Sequence, residues 1–294
     1  IGDVGESTSI AADSHGHIHI CYFDETNGAI KYAYFDGQNW NTSTVGSMSS
    51  GISSISLAVD NEDNLYVSYR DDWNIKYATY NGTAWVSNLI GDDPRMAGSY
   101  NSLAVDEDGN IHVSYNGIST TPKGLKYAFY NGTDWTISSV ENSGYSGYYN
   151  SIAVAENGNV FISLPVDGNI TVLKHNGADW MSLPQLPMNE NIHSKVAVDS
   201  NGNPHIVYHR TPPILTSGGE PIQYAVYAGT NWVSHFIGYG ANDGGAVSIF
   251  VDSDDEVHIV YKENSDDLMY VKTMNDYDGD NVKNLIDACI GTFG

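Results

Sequence analysis

"SLAVDNEDNLYVSYRDDWNIKYATYNGTAW" runs from Ser56 to Trp85, and "SLAVDEDGNIHVSYNGISTTPKGLKYAFYNGTDW" runs from Ser102 to Trp135. The same four phrases recur in the same order, so one supersecondary unit has been copied. Weaker copies begin at Ser9, Ser151, Lys195 and Val247. The tryptophans that close the phrase are Trp40, Trp85, Trp135, Trp180 and Trp232, spaced by 45, 50, 45 and 52 residues, and Trp73 alone is out of register. A period of this size marks an architecture in which no unit buries its apolar face without a neighbour.

Inside a copy, "SLAVD", "NIHVSY", "LKYAFY" and "WTISSV" read as four short strands rich in Val, Ile, Tyr and Ser. Between the first two sits Asp-x-x-Gly-Asn, as in Asp106 to Asn110 and Asp199 to Asn203, where Asp caps its own turn and Gly supplies a positive φ. Asn81-Gly82, Asn131-Gly132 and Asn176-Gly177, with Asp36-Gly37 in the first copy, predict two-residue hairpins between the last two strands. Six such units predict an all-β fold, a six-bladed β-propeller of four-stranded antiparallel blades over residues 1–274. The sixth copy lacks an obvious outer strand, because no Asn-Gly turn and Trp follow "LMYVKT". Ile1-Gly2 matches the tail of a fourth strand, so the closing strand is upstream, supplied by a neighbouring subunit, or supplied by "LIDACIG" (Leu285 to Gly291).

The composition bounds the partners. Of the 294 residues, 36 are Asp or Glu and 12 are Lys or Arg, a formal net charge of −24. Such a surface repels phosphate backbones and anionic headgroups, which excludes general nucleic-acid binding. There is no apolar run long enough for membrane insertion and no basic-then-apolar leader in the first residues. Cys21 and Cys289 are too few for a disulfide framework and are not spaced as a metal or redox pair.

The phrase "AVDxxGNxHV" resembles the repeats of extracellular propellers of the NHL and bacterial propeller-repeat kind, over residues 7 to 273. The hairpin "YNGTxW" resembles a degenerate Asp-box of sialidase-type propellers, without the Ser and Asp in most copies. Residues 275–294 form a separate tail, in which Asp276, Asp278, Asp280, Asn284 and Asp287 fall at the ligand positions of an EF-hand-like calcium loop, with Val282 offering its carbonyl. "DYDGDNVKNLIDACIGT" resembles one thrombospondin type 3 repeat or half a dockerin, which implies calcium as a cofactor. The resemblances together imply a secreted or cell-surface protein.

Lys31, Lys76 and Lys126 repeat at one strand position, whereas Arg70, Arg95, Lys123, Lys195, Arg210 and Lys262 fall in or beside the connections opposite the Asp-Gly turns. With Trp73, Tyr100, Tyr145, Tyr148 and Tyr149 in the same irregular loops, they point to a ligand face suited to stacking and to gripping anions. The candidate ligand residues are Arg70, Trp73, Arg95, Tyr100, Tyr149, Lys195, His209, Arg210 and Lys262. The competing reading is ion pairing with Asp71, Asp72, Asp92 and Asp93. His19, His112, His205 and His258 recur three residues before a Tyr, and a fourfold repeat points to packing, because an active site needs one asymmetric constellation. The function expected is recognition or adhesion, with a glycan or surface protein as partner. The alternatives are a polysaccharide-active enzyme, sialidase-like or a uronate lyase using His209 and Arg210, and a filament subunit built by strand donation.

Overall fold

The computed structural model describes residues 4–47, 54–72, 74–91, 98–117, 123–141, 147–187, 193–209, 219–241, 247–263, 267–274 and 284–288. Two compact units, 1–150 and 151–294, each hold three antiparallel sheets whose strands follow one another in chain order. The first unit comprises β1 (Val4–Ala12), β2 (Ile18–Asp24), β3 (Ala29–Phe35) and β4 (Trp40–Ser47); β5 (Ile55–Val59), β6 (Leu65–Asp71), β7 (Asn74–Tyr80) and β8 (Trp85–Leu89); and β9 (Gly98–Val105), β10 (Ile111–Gly117), β11 (Leu125–Tyr130) and β12 (Trp135–Glu141). The second comprises β13 (Ser151–Val154), β14 (Val160–Val166), β15 (Asn169–His175), β16 (Trp180–Ser182) and β17 (Leu186–Pro187); β18 (Ser194–Val198), β19 (Pro204–His209), β20 (Glu220–Tyr227) and β21 (Trp232–Gly240); and β22 (Val247–Val251), β23 (Val257–Lys262), β24 (Leu268–Met274) and β25 (Asn284–Ala288). No helix of the described residues is long and apolar enough to cross a membrane.

The sixth sheet is completed from within the chain. β25 pairs antiparallel with β24, from Tyr270 opposite Ala288 to Met274 opposite Asn284. Of the three sources considered for the missing strand, the C-terminal tail is the one observed, so the open edge that strand donation by a neighbour requires is occupied. Ile1-Gly2 lies outside the described residues.

Burial falls from the second strand of each sheet outward. All seven residues of β10 and all six of β19 are buried, whereas β8 and β12 are largely exposed. Apolar clusters form between successive sheets, as where Tyr32 and Val45 of the first meet Leu57, Val67 and Tyr69 of the second. Cys21, a free thiol, is buried there, and burial pushes its pKa up. The repeated Trp caps these seams: Trp85 meets Tyr32 edge-on at 5.1 Å and donates Nε1 to Ser43 Oγ at 3.1 Å. Trp135 meets Tyr77 in the same way at 5.2 Å. The repeated Ser at the head of "SLAVD" has a matching task. Ser9 Oγ accepts from the Leu57 amide, Ser56 Oγ from Leu103 and Ser151 Oγ from Val196, at 3.0, 3.0 and 3.3 Å. Each bond ties one sheet's first strand to the next.

The Asn-Gly joints are four-residue connections, Asn81–Ala84 and its counterparts, and not the two-residue hairpins expected. Tyr80 still pairs with Trp85 across the joint. Asn81 acts through its side chain, Oδ1 accepting the amides of Thr83 and Ala84 at 3.0 and 2.9 Å, while Gly82 alone takes a positive φ of 87°.

The Asp turns are held by a dense set of hydrogen bonds. Asp106 Oδ1 accepts the amides of Asp108 and Asn110 at 3.1 and 2.8 Å, and Gly109 has φ 77°. Its Oδ2 meets His112 Nε2 at 3.1 Å, and His112 Nδ1 meets the Tyr127 hydroxyl at 2.7 Å. The same Asp–His–Tyr chain recurs as Asp13–His19–Tyr32, Asp199–His205–Tyr224 and Asp252–His258–Tyr270. This is the packing role expected for the repeated histidines. In the fourth sheet all three members change together, to Ala155, Phe161 and Val172, and all three are buried. In the second sheet Tyr66 stands where the histidine would, and its hydroxyl donates to Asp60 Oδ2 at 2.9 Å, so the carboxylate keeps a partner.

Accordingly, His112→Phe, which takes a hydrogen-bond partner from both the Tyr127 hydroxyl and the Asp106 carboxylate, is expected to cost about 1–3 kcal/mol in urea unfolding. The triple change Asp106→Ala, His112→Phe, Tyr127→Val should cost less than the three single changes summed. Strict additivity would refute the coupling.

Candidate functional site

The residues expected to form a ligand face are only partly brought together. Trp73, Arg95 and Arg210 lie outside the described residues. Arg70, near the end of β6, turns to its own loop, Nε donating to the Asp72 carbonyl at 2.5 Å. Beside it, Lys76 pairs with Asp71 at 2.6 Å, and that hydrogen bond raises its pKa. At this turn Arg70 thus bonds backbone, and the ion pair with Asp71 is made by Lys76, one of the repeated lysines. Tyr100 and Tyr149 do meet, edge-on with ring centroids 4.6 Å apart, and Tyr148 adds a third ring 5.1 Å from Tyr100. Burial, then the hydrogen bond to Tyr149, pushes Tyr100 up to about 12. Both Tyr100 and Tyr149 have positive φ, 54° and 50°, a conformation bulky residues seldom adopt. Asn150 Nδ2 braces this segment, donating to the Tyr100 and Gly147 carbonyls.

In the second unit, Lys195 stands on β18 between buried Ser194 and Val196, and the protein packed around its ammonium lowers its pKa by desolvation although the side chain keeps contact with solvent. Lys262 ends β23, half-buried, its carbonyl accepting the Ala241 amide at 3.1 Å. His209 is fully buried, with Nδ1 3.3 Å from Glu220 Oε2. A base or ligand contact on an exposed polymer must reach it, and His209 does not reach the surface. In the tail, Asn284 and Asp287 belong to β25, while Asp276, Asp278, Asp280 and Val282 lie outside the described residues.

A pocket of about 480 Å³ opens elsewhere, between the first two sheets. The turn after β1 supplies Asp13, β2 His19, β3 Tyr32 and Tyr34, and β4 Asn41, Thr42 and Ser43; Asp63, Leu65 and Tyr80 come from the second sheet. It therefore lies at the Asp-turn side, opposite the irregular loops. The volume is in the range of small-ligand sites, about 300–1,000 Å³. Aromatic rings line it, and the polar lining is hydroxyl, amide and carboxylate, with no Lys or Arg among the lining residues.

Its wall is held by an unusual contact. Where four other turns place Gly, the second and sixth sheets place Asp63 and Asp255, at φ 63° and 57°. Asp63 accepts from the Ser14 amide and hydroxyl, both at 2.8 Å, and Asp255 grips Ser200 in the same way at 2.8 and 2.6 Å. The carboxylate thus offsets the strained φ by clasping the preceding turn. Those bonds lower the pKa of Asp63. Burial acts to raise Asp13, but bonds from His17, His19 and the His15 amide outweigh it and hold that carboxyl far below its usual range. Beside Asp13, His15 and His17 complete a group of potential metal donors. None of Asp13, His15, His17 or the pocket residues was singled out as a site from the sequence. The available signal was "DSHGHIH", the one Asp turn with histidines at its third and fifth positions.

No protein-family model and no curated protein matches the sequence. Solved structures do match the fold over its length. The Aleuria aurantia lectin, described as a six-bladed β-propeller with a novel fucose recognition mode, aligns at TM-score 0.64 and 13% identity, covering 98% of this chain and 96% of that one. The fold is a six-bladed β-propeller. SapL1 lectin in complex with α-methyl fucoside aligns at TM-score 0.63 and 11% identity over 97% of this chain and 96% of that one. A polysaccharide lyase of family PL25, an ulvan lyase bound to -[GlcA(1-4)Rha3S]-, aligns at 0.63 and 13% over 98% and 84%. At these identities the likeness concerns the propeller and its blades.

The Asp turns make the propeller acid-sensitive. Burial acts to raise Asp199, but hydrogen bonds from His205 and from the Asn203 side chain and amide lower it to about 2. Against an unfolded value of about 3.9, this contribution is complete above pH ~4 and lost as pH falls toward ~2. Urea midpoints measured over that window should fall steeply, and Asp199→Asn should flatten the fall; an unchanged slope would contradict the linkage.

Proposed function

We propose that the chain is a secreted or cell-surface recognition module that binds a neutral glycan in the pocket between the first two blades. The observation that carries this is the lining. A sugar ring has an apolar C–H face and a rim of hydroxyls. Tyr34 and Tyr80 offer aromatic surface for the first, and Asn41, Thr42, Ser43 and Asp63 offer donors and acceptors for the second. The absence of Lys and Arg among the lining residues, with two carboxylates present, disfavours an anionic sugar here. The likeness to fucose-binding propeller lectins supports a glycan as the ligand class, with the fold as common ground. The tail supports calcium binding as a separate proposal, by its acidic spacing alone.

On a glycan array, the wild type should bind neutral in preference to sialylated or uronic structures. Tyr80→Ala or Asn41→Ala should weaken the best hit at least tenfold by calorimetry, while Arg70→Ala leaves it unchanged. A hit lost with Arg70→Ala and kept with Tyr80→Ala would move the site to the loop face; an empty array would count against glycan recognition. Calcium calorimetry should show one ion lost in Asp278→Asn, and no heat in the wild type would remove calcium from the tail.

A further inference from the structure

The first blade's Asp turn is built differently from the others. Its third and fifth positions are His15 and His17, where the other turns carry Glu62 and Asn64, Asp108 and Asn110, Asn157 and Asn159, Asn201 and Asn203, and Asp254 and Glu256. Neither histidine belongs to the Asp–His–Tyr chain of this blade, which uses His19. We propose that Asp13, His15 and His17, with Asp63 beside them, form a site for one transition-metal ion of the zinc class, next to the pocket.

Asp13, His15 and His17 each present a donor atom, and these lie within 4.8 Å of one another. Zinc bonds of about 2.0–2.2 Å to imidazole nitrogen and carboxylate oxygen need donors this close, with only side-chain adjustment to close on the ion. Asp63 stands beside the group, its Oδ2 3.0 Å from His15 Nδ1, and adds negative charge next to the ion. Two imidazoles and a carboxylate suit zinc, with its fourth position open, better than calcium, whose ligands are oxygen. The backbone prepares the arrangement. Asp13 Oδ1 holds the amides of His15 and His17 at 2.9 and 2.8 Å, and Gly16 between them takes φ 77°. The two imidazoles stack at 5.7 Å with planes 19° apart. The Ser14 bonds to Asp63 fix the second blade's carboxylate beside the first blade's turn. An ion has access, because the His15 side chain is 69% exposed.

The other histidines make the contrast. In the chains of His19, His112 and His258 one ring nitrogen meets a tyrosine hydroxyl and the other an aspartate, whereas His15 and His17 meet a carboxylate through Nδ1, at 3.0 and 2.8 Å, and bond no tyrosine hydroxyl among the described residues. A second group, Asp252, Glu256 and His258, has its donors equally close, but the Lys272 ammonium bonds Glu256 and puts a positive charge where a cation would sit. The first turn has no such lysine among the contacts made by Asp13, His15, His17 and Asp63 in the described residues.

Titrating the full chain with Zn²⁺ by calorimetry should show one ion bound through these residues, and Co²⁺ in its place should give a visible ligand-field absorption. His15→Ala, which removes an exposed side chain and leaves the turn's backbone bonds in place, should weaken zinc at least tenfold and remove the cobalt band. Asp63→Asn, which changes a neighbouring charge and no donor, should weaken zinc less than His15→Ala does. Glu256→Gln and Asp278→Asn should leave both signals intact. The proposal is overturned if the wild type takes up no zinc, if His15→Ala changes its affinity less than tenfold, or if Asp278→Asn abolishes the signal. Because no glycan enters these measurements, their failure leaves the glycan reading standing, and an empty glycan array leaves this one standing.

Discussion

A single carboxylate at the first turn of the blade carries more of this structure than any apolar contact. With Oδ1 it closes the turn between first and second strands; with Oδ2 it orients a histidine of the second strand, which in turn reaches a tyrosine hydroxyl on the third. Three strands are thereby fixed at one end by one side chain. Such a chain is stable only when every member is paired, because a buried polar atom without a partner costs more than the bond it replaces contributes. The fourth blade obeys the same constraint by abandoning the chain whole, filling the space with Ala155, Phe161 and Val172.

Because that carboxylate holds the turn's backbone, the other turn positions are free to differ. Two blades use the freedom to join neighbours, through Asp63 to Ser14 and Asp255 to Ser200. One blade uses it to place two imidazoles beside two carboxylates. The pocket between the first two blades lies against these same residues, so the most regular part of the repeat and its most unusual chemistry share a location. The pocket's two carboxylates, Asp13 and Asp63, with no Lys or Arg among its lining residues, turn it away from anions and toward cations and neutral hydroxylated ligands.

The loop face illustrates why irregularity is an uncertain guide to a site. Arg70 and Lys76 stand near Asp71 and Asp72 in sequence, and in the fold they bond within that turn, because a charge finds a partner a few residues away at little entropic cost. His209 varies from the repeat for an internal reason, packing against Gly240 and standing beside Glu220. Tyr100 and Tyr149 were legible as aromatic loop residues; their meeting, 4.6 Å apart on strained backbones, was not.

The amino-acid sequence by itself determined the number of blades, the order of their strands, the Asp turns and the packing role of the repeated histidines, because each follows from local periodicity and turn chemistry that recurs from copy to copy, the Asp in five and the histidine in four. It also contained both halves of the clasp, Ser14 with Asp63 and Ser200 with Asp255, 49 and 55 residues apart and with nothing to mark them as partners. Only the tertiary structure decided that these meet, that the tail returns as β25 to finish the sixth blade, and that a pocket opens beside "DSHGHIH". Those outcomes depend on which turns are set side by side when blades pack, a relation between copies that the spacing within any one copy does not encode.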